Sequence, residues 1–410
     1  MKIEDIVKKI DSLIIIGLCF LIIGLPFSNS IIEVTASAVI VLWFFKKIFI
    51  LRSFKLENTP LNWPILFYLV LAISSLVNSH FFMTSIKGLL FKTIEYFLLF
   101  FTIVETVKSQ DDVKKIIFAI FLSCILMGTD GLWQYTTGYD FLRGYPVWSS
   151  GRIKASFKYP NGFGGWLIIV IPLCISFALF ETKESLWKIA GGFSSLLLIA
   201  CLILNLTAGA WLAIIPAVIF LVWRRGNVAK RILLTMLFIA ILGMGIVILS
   251  GGNEFILRYI DKAHSILYRI EMAKLCWRMF IDHPFLGHGI NTFMSIYENY
   301  RDPTVYGMSG VSYAHNCYLQ IAVETGIFSL LVFLWMIIAL FVSSLRDIKR
   351  REEGLIKTAQ IGFLAGLLAY LTHSAIETNL YSLPLAILFY YFLGVAISLQ
   401  KLEGTPHEKP

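Results

Sequence analysis

Long apolar runs alternate with short polar segments along most of the 410 residues of this chain. Twelve of these runs approach the roughly 20 apolar residues that an α-helix needs to cross the hydrocarbon core of a bilayer. Strands of a membrane β-barrel would instead give short segments of alternating hydrophobicity. We therefore predict an all-α polytopic membrane protein with about twelve transmembrane helices. The predicted spans are residues 13–28, 31–50, 63–79, 88–106, 114–133, 161–181, 187–205, 208–224, 230–250, 316–345, 355–375 and 379–399.

Two connections between these spans are much longer than the others. Residues 134–160 form a loop with several basic residues, and residues 251–315 form a large, partly helical loop before the tenth span. We interpret the whole chain, residues 1–410, as a single membrane domain that carries these two loops.

The larger loop contains a segment with helical periodicity that ends at Asp282. We expect an amphipathic helix across the mouth of the bundle, with Arg269 at the edge of its apolar arc and above a cavity. A solvated arginine on a surface helix is the alternative. The apolar arc consists of Ile266, Ile270, Ala273, Trp277 and Phe280, and the charged arc of Glu271, Lys274 and Arg278.

The composition supports the membrane interpretation. Hydrophobic residues make up 58% of the chain and charged residues only 15%, with a mean hydropathy of +0.77. Soluble domains are only about half apolar, so an ordinary soluble protein is excluded. The net charge of +9 alone could indicate nucleic acid. Because most Lys and Arg residues lie between the apolar runs, where they determine topology, we expect no nucleic-acid partner.

The same basic residues predict the orientation of the chain. Clusters of Lys and Arg recur in every second connection, whereas the alternate short loops near residues 29–30, 80–86, 206–207 and 376–378 contain none. By the positive-inside rule, both termini are cytoplasmic and the two long loops lie on the outer side of the membrane.

A histidine lies where the larger loop meets the tenth span, in the sequence Tyr313-Ala-His-Asn-Cys-Tyr-Leu-Gln320. A neutral imidazole accepts a proton near pH 7, so His315 is a candidate general base, although a structural histidine is the alternative. Asn316 could fix the tautomer of His315 or bind a sugar. Glu324 lies two to three turns deeper, and we expect it to be buried and paired.

Several cationic residues stand near the predicted outer surface. Arg152 and Lys158 precede the helix start at Pro160-Asn161, at the height of a lipid pyrophosphate. Arginine grips phosphate oxygens through two hydrogen bonds, while lysine acts as a point charge. Contact with lipid headgroups is the alternative role for both. Lys87, near the outer end of span four, is a further candidate for substrate contact.

Three more charged side chains are open to two interpretations. Lys92 and Glu95 lie three residues apart inside span four, and a buried ion pair is the expected arrangement. Glu377, in the last outer turn, could orient a catalytic base or a sugar hydroxyl, or it could cap and anchor a helix end.

Signatures of cofactor-dependent soluble enzymes are missing. The chain contains no Walker loop, dinucleotide fingerprint, Gly-x-Ser-x-Gly elbow or His-Glu-x-x-His motif. His283 and His288 alone are too few for a metal site. We therefore expect no cofactor and metal-independent catalysis.

Four blocks of sequence resemble the O-antigen ligase and O-antigen polymerase family of bacterial membrane glycosyltransferases. The similarity extends over about residues 60–400, and the His-Asn to Glu-x-Gly block is its most specific part. The blocks are Arg152…Phe157…Pro160-Asn161; Leu206-Thr-Ala-Gly-Ala-Trp211; Arg269 with Asp282-His-Pro-Phe-Leu-Gly-His-Gly289; and Ala314-His-Asn…Leu319…Glu324-Thr-Gly326.

The resemblance implies transfer of a glycan from undecaprenyl pyrophosphate to an acceptor hydroxyl on the periplasmic face of a bacterial inner membrane. The acceptor is the lipid A–core in a ligase and a second lipid-linked repeat in a polymerase. His315 would serve as base, while Arg269 and Arg152 would hold the pyrophosphate. The transfer would invert the anomeric carbon without a covalent enzyme intermediate. A transporter of the same lipid-linked glycan is a further alternative.

One position departs from the family pattern. The family usually has an arginine before Gly-Ala-Trp at the outer start of span eight, where this chain has Ala208. Loss of a guanidinium beside a pyrophosphate should weaken transition-state stabilisation. Whether the alanine is natural or introduced, the protein either works without this group or is impaired.

Overall fold

The computed structural model of the protein is helical, with 79% of residues in helices. It describes residues 3–180, 184–225, 252–301 and 313–402, and these ranges contain no β-strand. The helices are α1 Ile3–Gly24, α2 Asn29–Phe45, α3 Asn62–Ser74, α4 Phe82–Gly88, α5 Glu95–Thr106, α6 Gln110–Thr137, α7 Pro160–Phe180, α8 Ser185–Asn205, α9 Ala208–Arg225, α10 Gly252–Asp282, α11 Phe293–Ile296, α12 Cys317–Arg350, α13 Leu355–His373 and α14 Leu383–Lys401.

Six of the described helices are long and apolar enough to cross a membrane, namely α6, α7, α8, α12, α13 and α14. Shorter apolar helices cover Asn62–Asn78 and Ala208–Arg224. The all-helical fold class is thus confirmed for the described residues, with six candidate membrane spans, while the number of twelve spans stays a prediction. The ninth predicted span, residues 230–250, lies outside the described residues.

The core of the bundle lies around α7 and α14, because 83% of the most apolar stretch of each helix is buried. Small residues let neighbouring helices approach α7 closely. A Cβ added at Gly366 of α13 would lie only 2.2 Å from the carbonyl oxygen of Ile169. This packing fixes the ends of α7, α13 and α14 relative to one another.

The two ends of the bundle differ in chemistry. At one end, which we call the basic end, lysines from the predicted inner connections pair with carboxylates. The Nζ atom of Lys47 lies 2.8 Å from a buried Glu105 oxygen, and Lys401 lies 3.0 Å from Glu57. At the opposite end, the site end, α7, α9, α12 and α14 begin. The candidate chemistry predicted from the sequence gathers there.

Helix α12 breaks at Gly326, whose φ of +84° is left-handed. Ile327 therefore donates its N–H to Pro284 (2.9 Å), and the carbonyls left free at Val323 and Glu324 accept N–H groups from residues 288 and 289. A Cβ at Gly326 would lie 1.9 Å from the carbonyl oxygen of Phe285. The break thus seats the segment after α10 on α12.

Helix α10 ends at Asp282, as the sequence predicts, but it packs through a different face. Ile266, Ile270 and Trp277 of the predicted apolar arc are exposed. The residues of α10 that are buried against α12 are Met272, Leu275, Cys276 and Met279. Both stripes are apolar at helical spacing, so periodicity alone could not determine which one packs inward.

The loop between α6 and α7 is ordered by polar side chains at the end of α6. Buried Asp130 accepts the N–H of Phe141 (2.9 Å), and the Gln134 side chain accepts two backbone N–H groups of residues 154 and 155. Within the loop, Asp140 accepts the N–H groups of Leu142 (3.1 Å) and Arg143 (2.6 Å). The loop is therefore a fixed structure rather than a flexible connection.

Candidate active site

His315 is held at the start of α12. The side-chain oxygen of Asn316 caps this helix by accepting the N–H of Leu319 (3.0 Å), and its amide nitrogen donates to the carbonyl of Ala375 (2.8 Å). Cys317 donates its N–H to Ser374 (2.8 Å). These bonds join the histidine to the turn between α13 and α14. Asn316 thus positions the backbone, and in the described contacts it is not the group that fixes the imidazole.

Glu377 lies at the centre of the site. One carboxylate oxygen lies 3.1 Å from Nδ1 of His315. The other accepts hydrogen bonds from Nη2 of Arg269 (2.8 Å) and from the side-chain amide of Asn161 (2.7 Å). Arg269 also donates from Nε to the carbonyl of Ile376 (3.2 Å). Three separate parts of the chain therefore converge on one buried carboxylate.

The surroundings keep this carboxylate ionised. Burial alone would raise the pKa of Glu377, but the hydrogen bond from His315 and the positive charges of protonated His315, of His373 and of Arg269 outweigh it and lower the pKa to about 2. An ionised carboxylate only accepts hydrogen bonds, so Nδ1 of His315 carries a proton. In the neutral ring, Nε2 is then the basic nitrogen. This tautomer assignment follows from the hydrogen-bond network.

Arg152 joins the same network from the loop before α7. Its Nη2 atom donates to the Asn161 side-chain oxygen (2.8 Å) and to the hydroxyl of Thr207 (2.7 Å), while Nε donates to the carbonyl of Asn205 (3.0 Å). Burial lowers the pKa of Arg152, and the charge of Arg269 adds to this effect. Two guanidinium groups thus lie on either side of Asn161 and Glu377.

The position that departs from the family pattern is at this site. Ala208 is exposed and begins α9. It follows Thr207, which contacts Arg152, and precedes Gly209, where a Cβ would lie 2.8 Å from Ile376. The alanine is therefore next to both arginine-containing parts of the network.

Other predicted site residues lie apart from the network. Lys87 is exposed on α4, and the ammonium of Lys158 lies 5.3 Å from the ring of Tyr159. In the part of the chain that the structure describes, no hydrogen bond or ion pair joins either lysine to Glu377 or His315. Their role in substrate contact stays a prediction.

Glu324 is buried and paired, as we expected. Its two oxygens accept the N–H groups of Asn291 (2.9 Å) and Phe293 (3.2 Å), and the Gln320 amide donates to it (3.1 Å). Gln320 also accepts the N–H of Ala314 (3.3 Å). Glu324 therefore supports the backbone that precedes His315.

The prediction of an ion pair between Lys92 and Glu95 is wrong. The ammonium of Lys92 instead donates to the side chain of Asn291, at 2.8 Å. Residues Leu89–Ile94 form a π-helical turn, and this turn changes the spacing that would place residues three apart on one face.

Sequence reasoning missed two contributors to the site. The sequence indicates Asn161 as part of a helix start and of a block that resembles the family, but not as a site residue, although its amide bridges Arg152 and Glu377. Tyr268, one residue before Arg269, packs its ring edge-on to His315 at a centroid distance of 5.6 Å. The Pro-Asn pair was the available signal for Asn161, whereas a tyrosine on an amphipathic helix gives none.

The fold and the site define a helical membrane protein with a histidine–carboxylate pair and two arginines at one end of the bundle. Residues 193–334 match a family model described as O-Antigen ligase, and this match supports the O-antigen ligase family for the chain. The match includes Arg269 and His315 but ends before Glu377 and begins after Arg152. A comparison with curated proteins found no match.

Proposed function

We propose that the protein is an O-antigen ligase-type glycosyltransferase. It moves a glycan from undecaprenyl pyrophosphate to a hydroxyl of the lipid A–core on the periplasmic face of the inner membrane. The single observation that carries this proposal is the convergence of His315 and Arg269 on the ionised carboxylate of Glu377. A proton acceptor beside a cation at one end of the bundle is what transfer from a pyrophosphate requires.

In the proposed reaction, Nε2 of His315 takes the proton of the acceptor hydroxyl as the oxygen attacks the anomeric carbon. The bond between that carbon and the pyrophosphate oxygen breaks, and the leaving group keeps the electron pair. Glu377 holds the imidazole in the required tautomer and stabilises the imidazolium that forms. The products are the glycosylated acceptor and undecaprenyl pyrophosphate, with inversion at the anomeric carbon.

The arginines have different parts in this proposal. Arg269 is one-third exposed at its side chain and would contact the pyrophosphate and stabilise its growing negative charge. Arg152 already donates to three protein acceptors, so it contributes its charge and holds Asn161 in place. Lys158 and Lys87 would attract the anionic headgroup from the surrounding surface.

The sidedness follows from the positive-inside rule. Lysines from the basic connections pair with carboxylates at the basic end, so that end is cytoplasmic in this proposal. The site end is then periplasmic, where lipid-linked rather than nucleotide-linked sugars are the available donors.

An assay with the full chain in proteoliposomes tests the function. The lipid-linked glycan is supplied together with either lipid A–core or further lipid-linked repeats. Transfer to lipid A–core is expected, and elongation of repeats alone would instead identify a polymerase. His315→Ala should abolish transfer while donor binding remains, and His80→Ala, at an exposed histidine outside the network, is the matched control. If the only effect of His315→Ala is a loss of donor binding, a transporter is favoured.

A further inference from the structure

Three aromatic rings in the loop between α6 and α7 lie beside the site and have no part in the proposed reaction. The rings of Trp148 and Tyr159 meet edge-on at 5.9 Å. The Lys154 ammonium lies 5.0 Å from the centre of the Tyr145 ring and 5.3 Å from that of Trp148. Trp148 and Tyr145 are partly exposed, and Tyr159 is 52% exposed. We call Tyr145, Trp148 and Tyr159 the aromatic platform.

Backbone hydrogen bonds hold the platform residues in place. The backbone N–H of Trp148 donates to the carbonyl of Arg152 (3.0 Å), and the side-chain amide of Gln134 donates to the carbonyl of Tyr145 (3.0 Å). Gln134 and the buried Asp130 lie on α6, so the loop is fixed to a helix of the bundle. Rings that are already ordered lose little conformational entropy when they bind a ligand.

The platform is continuous with the site. The backbone of Trp148 is hydrogen-bonded to the backbone of Arg152. The Arg152 side chain donates a hydrogen bond to Asn161, which in turn donates one to Glu377. Tyr159 precedes Asn161 by two residues. In a glycan joined to a pyrophosphate near these arginines, we therefore expect the sugars beyond the first one to lie over the rings.

We propose that the aromatic platform binds the glycan of the lipid-linked donor by stacking its sugar rings on Trp148 and Tyr159. One face of a pyranose ring presents C–H groups, which are apolar and pack on an aromatic face, while its hydroxyls remain free for polar partners. Exposed cations flank the rings, with Arg143 stacked on Tyr145 at 4.6 Å and Lys158 on Tyr159 at 5.3 Å. They can donate hydrogen bonds to those hydroxyls. This proposal rests on the proposed function, because it identifies the ligand as the donor.

Helix length favours a glycan over the lipid surface as the ligand. Helix α6 has 28 residues and is about 42 Å long at 1.5 Å per residue, whereas the hydrocarbon core is about 30 Å thick. Trp133 lies near the end of α6 and has an exposed ring, as expected of a tryptophan at the membrane–water interface. The loop begins beyond Trp133. The rings of the loop are thus placed for a ligand outside the hydrocarbon.

Binding is measured with the full chain carrying His315→Ala, so that transfer does not consume the donor. The two probes are undecaprenyl pyrophosphate with a single sugar and the same lipid with a complete repeat. Trp148→Ala and Tyr159→Ala should each raise the Kd for the complete repeat about tenfold and leave the single-sugar Kd nearly unchanged. Trp133→Ala, which removes an exposed ring outside the platform, should change neither value.

An equal loss for both probes would mean that the rings serve the lipid or the fold, and it would overturn the proposal. An unchanged Kd for both probes would also overturn the proposal. The same holds if, in a transfer assay of the chain with intact His315, the substitutions affect only the use of the acceptor. The proposed function fails separately. In that case the chain with intact His315 transfers neither donor, while the length-dependent change in Kd persists.

Discussion

At the residue scale, the protein depends on how Glu377 is surrounded. A buried carboxylate is costly unless it is paired, and here three side chains donate to it. The result is an acceptor that is ionised throughout the physiological pH range, with a pKa of about 2. This permanent negative charge gives His315 a defined tautomer, and through Arg269 it also fixes a cation beside the imidazole.

Replacing the carboxylate by an amide should disable the base. In Glu377→Gln, an N–H of the amide can donate to Nδ1 of His315, so that Nε2 carries the proton and cannot accept another. We expect kcat to fall by about 10²–10⁴, with KM changed far less. Transfer kinetics in proteoliposomes measure both values. Glu377→Asp keeps the charge and should retain more activity, so equal rates for the two variants would contradict this role.

Ala208 allows the opposite experiment, the addition of a cation. Because position 208 lies beside Thr207 and Arg152, Ala208→Arg should add a further guanidinium at the pyrophosphate and raise the transfer rate about tenfold or more. Ala208→Leu adds bulk without charge and is the control. An unchanged rate in Ala208→Arg would mean that this position does not contribute to transfer.

At the element scale, the break in α12 builds the site. The break leaves two carbonyls of the helix free, and the segment after α10 occupies them, so that α10 is anchored over the start of α12. Arg269 on α10 and His315 before α12 are thereby brought to the same carboxylate. A straight helix would close these carbonyls with its own N–H groups and leave α10 without this attachment.

Gly326→Ala should therefore destabilise the protein and lower activity. The new Cβ has no space beside Phe285, and the left-handed φ of residue 326 adds strain of about 1–3 kcal/mol. Gly144→Ala is the matched control, because Gly144 also has a left-handed φ (+66°) but no heavy atom lies within 4 Å of its Cβ position. Thermal unfolding of both variants checks this expectation. If the two melting temperatures fall equally, the close packing at Gly326 does not matter.

At the scale of the whole molecule, the bundle separates two chemistries at its ends. Ion pairs of lysines from the basic connections lie at the basic end, and His315, the arginines and the aromatic platform lie at the site end. Alternating helices produce this separation, because every second connection returns to the same end. The site is assembled from connections that are far apart in sequence, since Asn161 and Glu377 are 216 residues apart.

The orientation can be measured by labelling introduced cysteines. In intact cells whose outer membrane has been made permeable, a maleimide that cannot cross the inner membrane should label Ser149→Cys in the loop before α7. It should label Asn58→Cys only after the inner membrane is lysed. Both positions are exposed, and five of the six native cysteines are buried, so background labelling should be low. The reverse pattern would place the site end in the cytoplasm and exclude the proposed donor.

The sequence by itself determined the class of the protein and most of the participants. Apolar runs must become helices in a bilayer, because no other local structure satisfies the backbone there. The resemblance singled out His315, Arg269 and Arg152, and the structure brings all three into one network. These inferences depend on local pattern or on short motifs, both of which can be read along the chain.

Only the tertiary structure decided how those residues cooperate. Glu377 was open to a capping role, and Asn161 was part of a helix start, until long-range packing brought them together. The buried face of α10 and the partner of Lys92 were likewise fixed by neighbours distant in sequence. Hydrophobic periodicity describes what a helix can bury, whereas contacts between distant residues depend on how the helices pack and break.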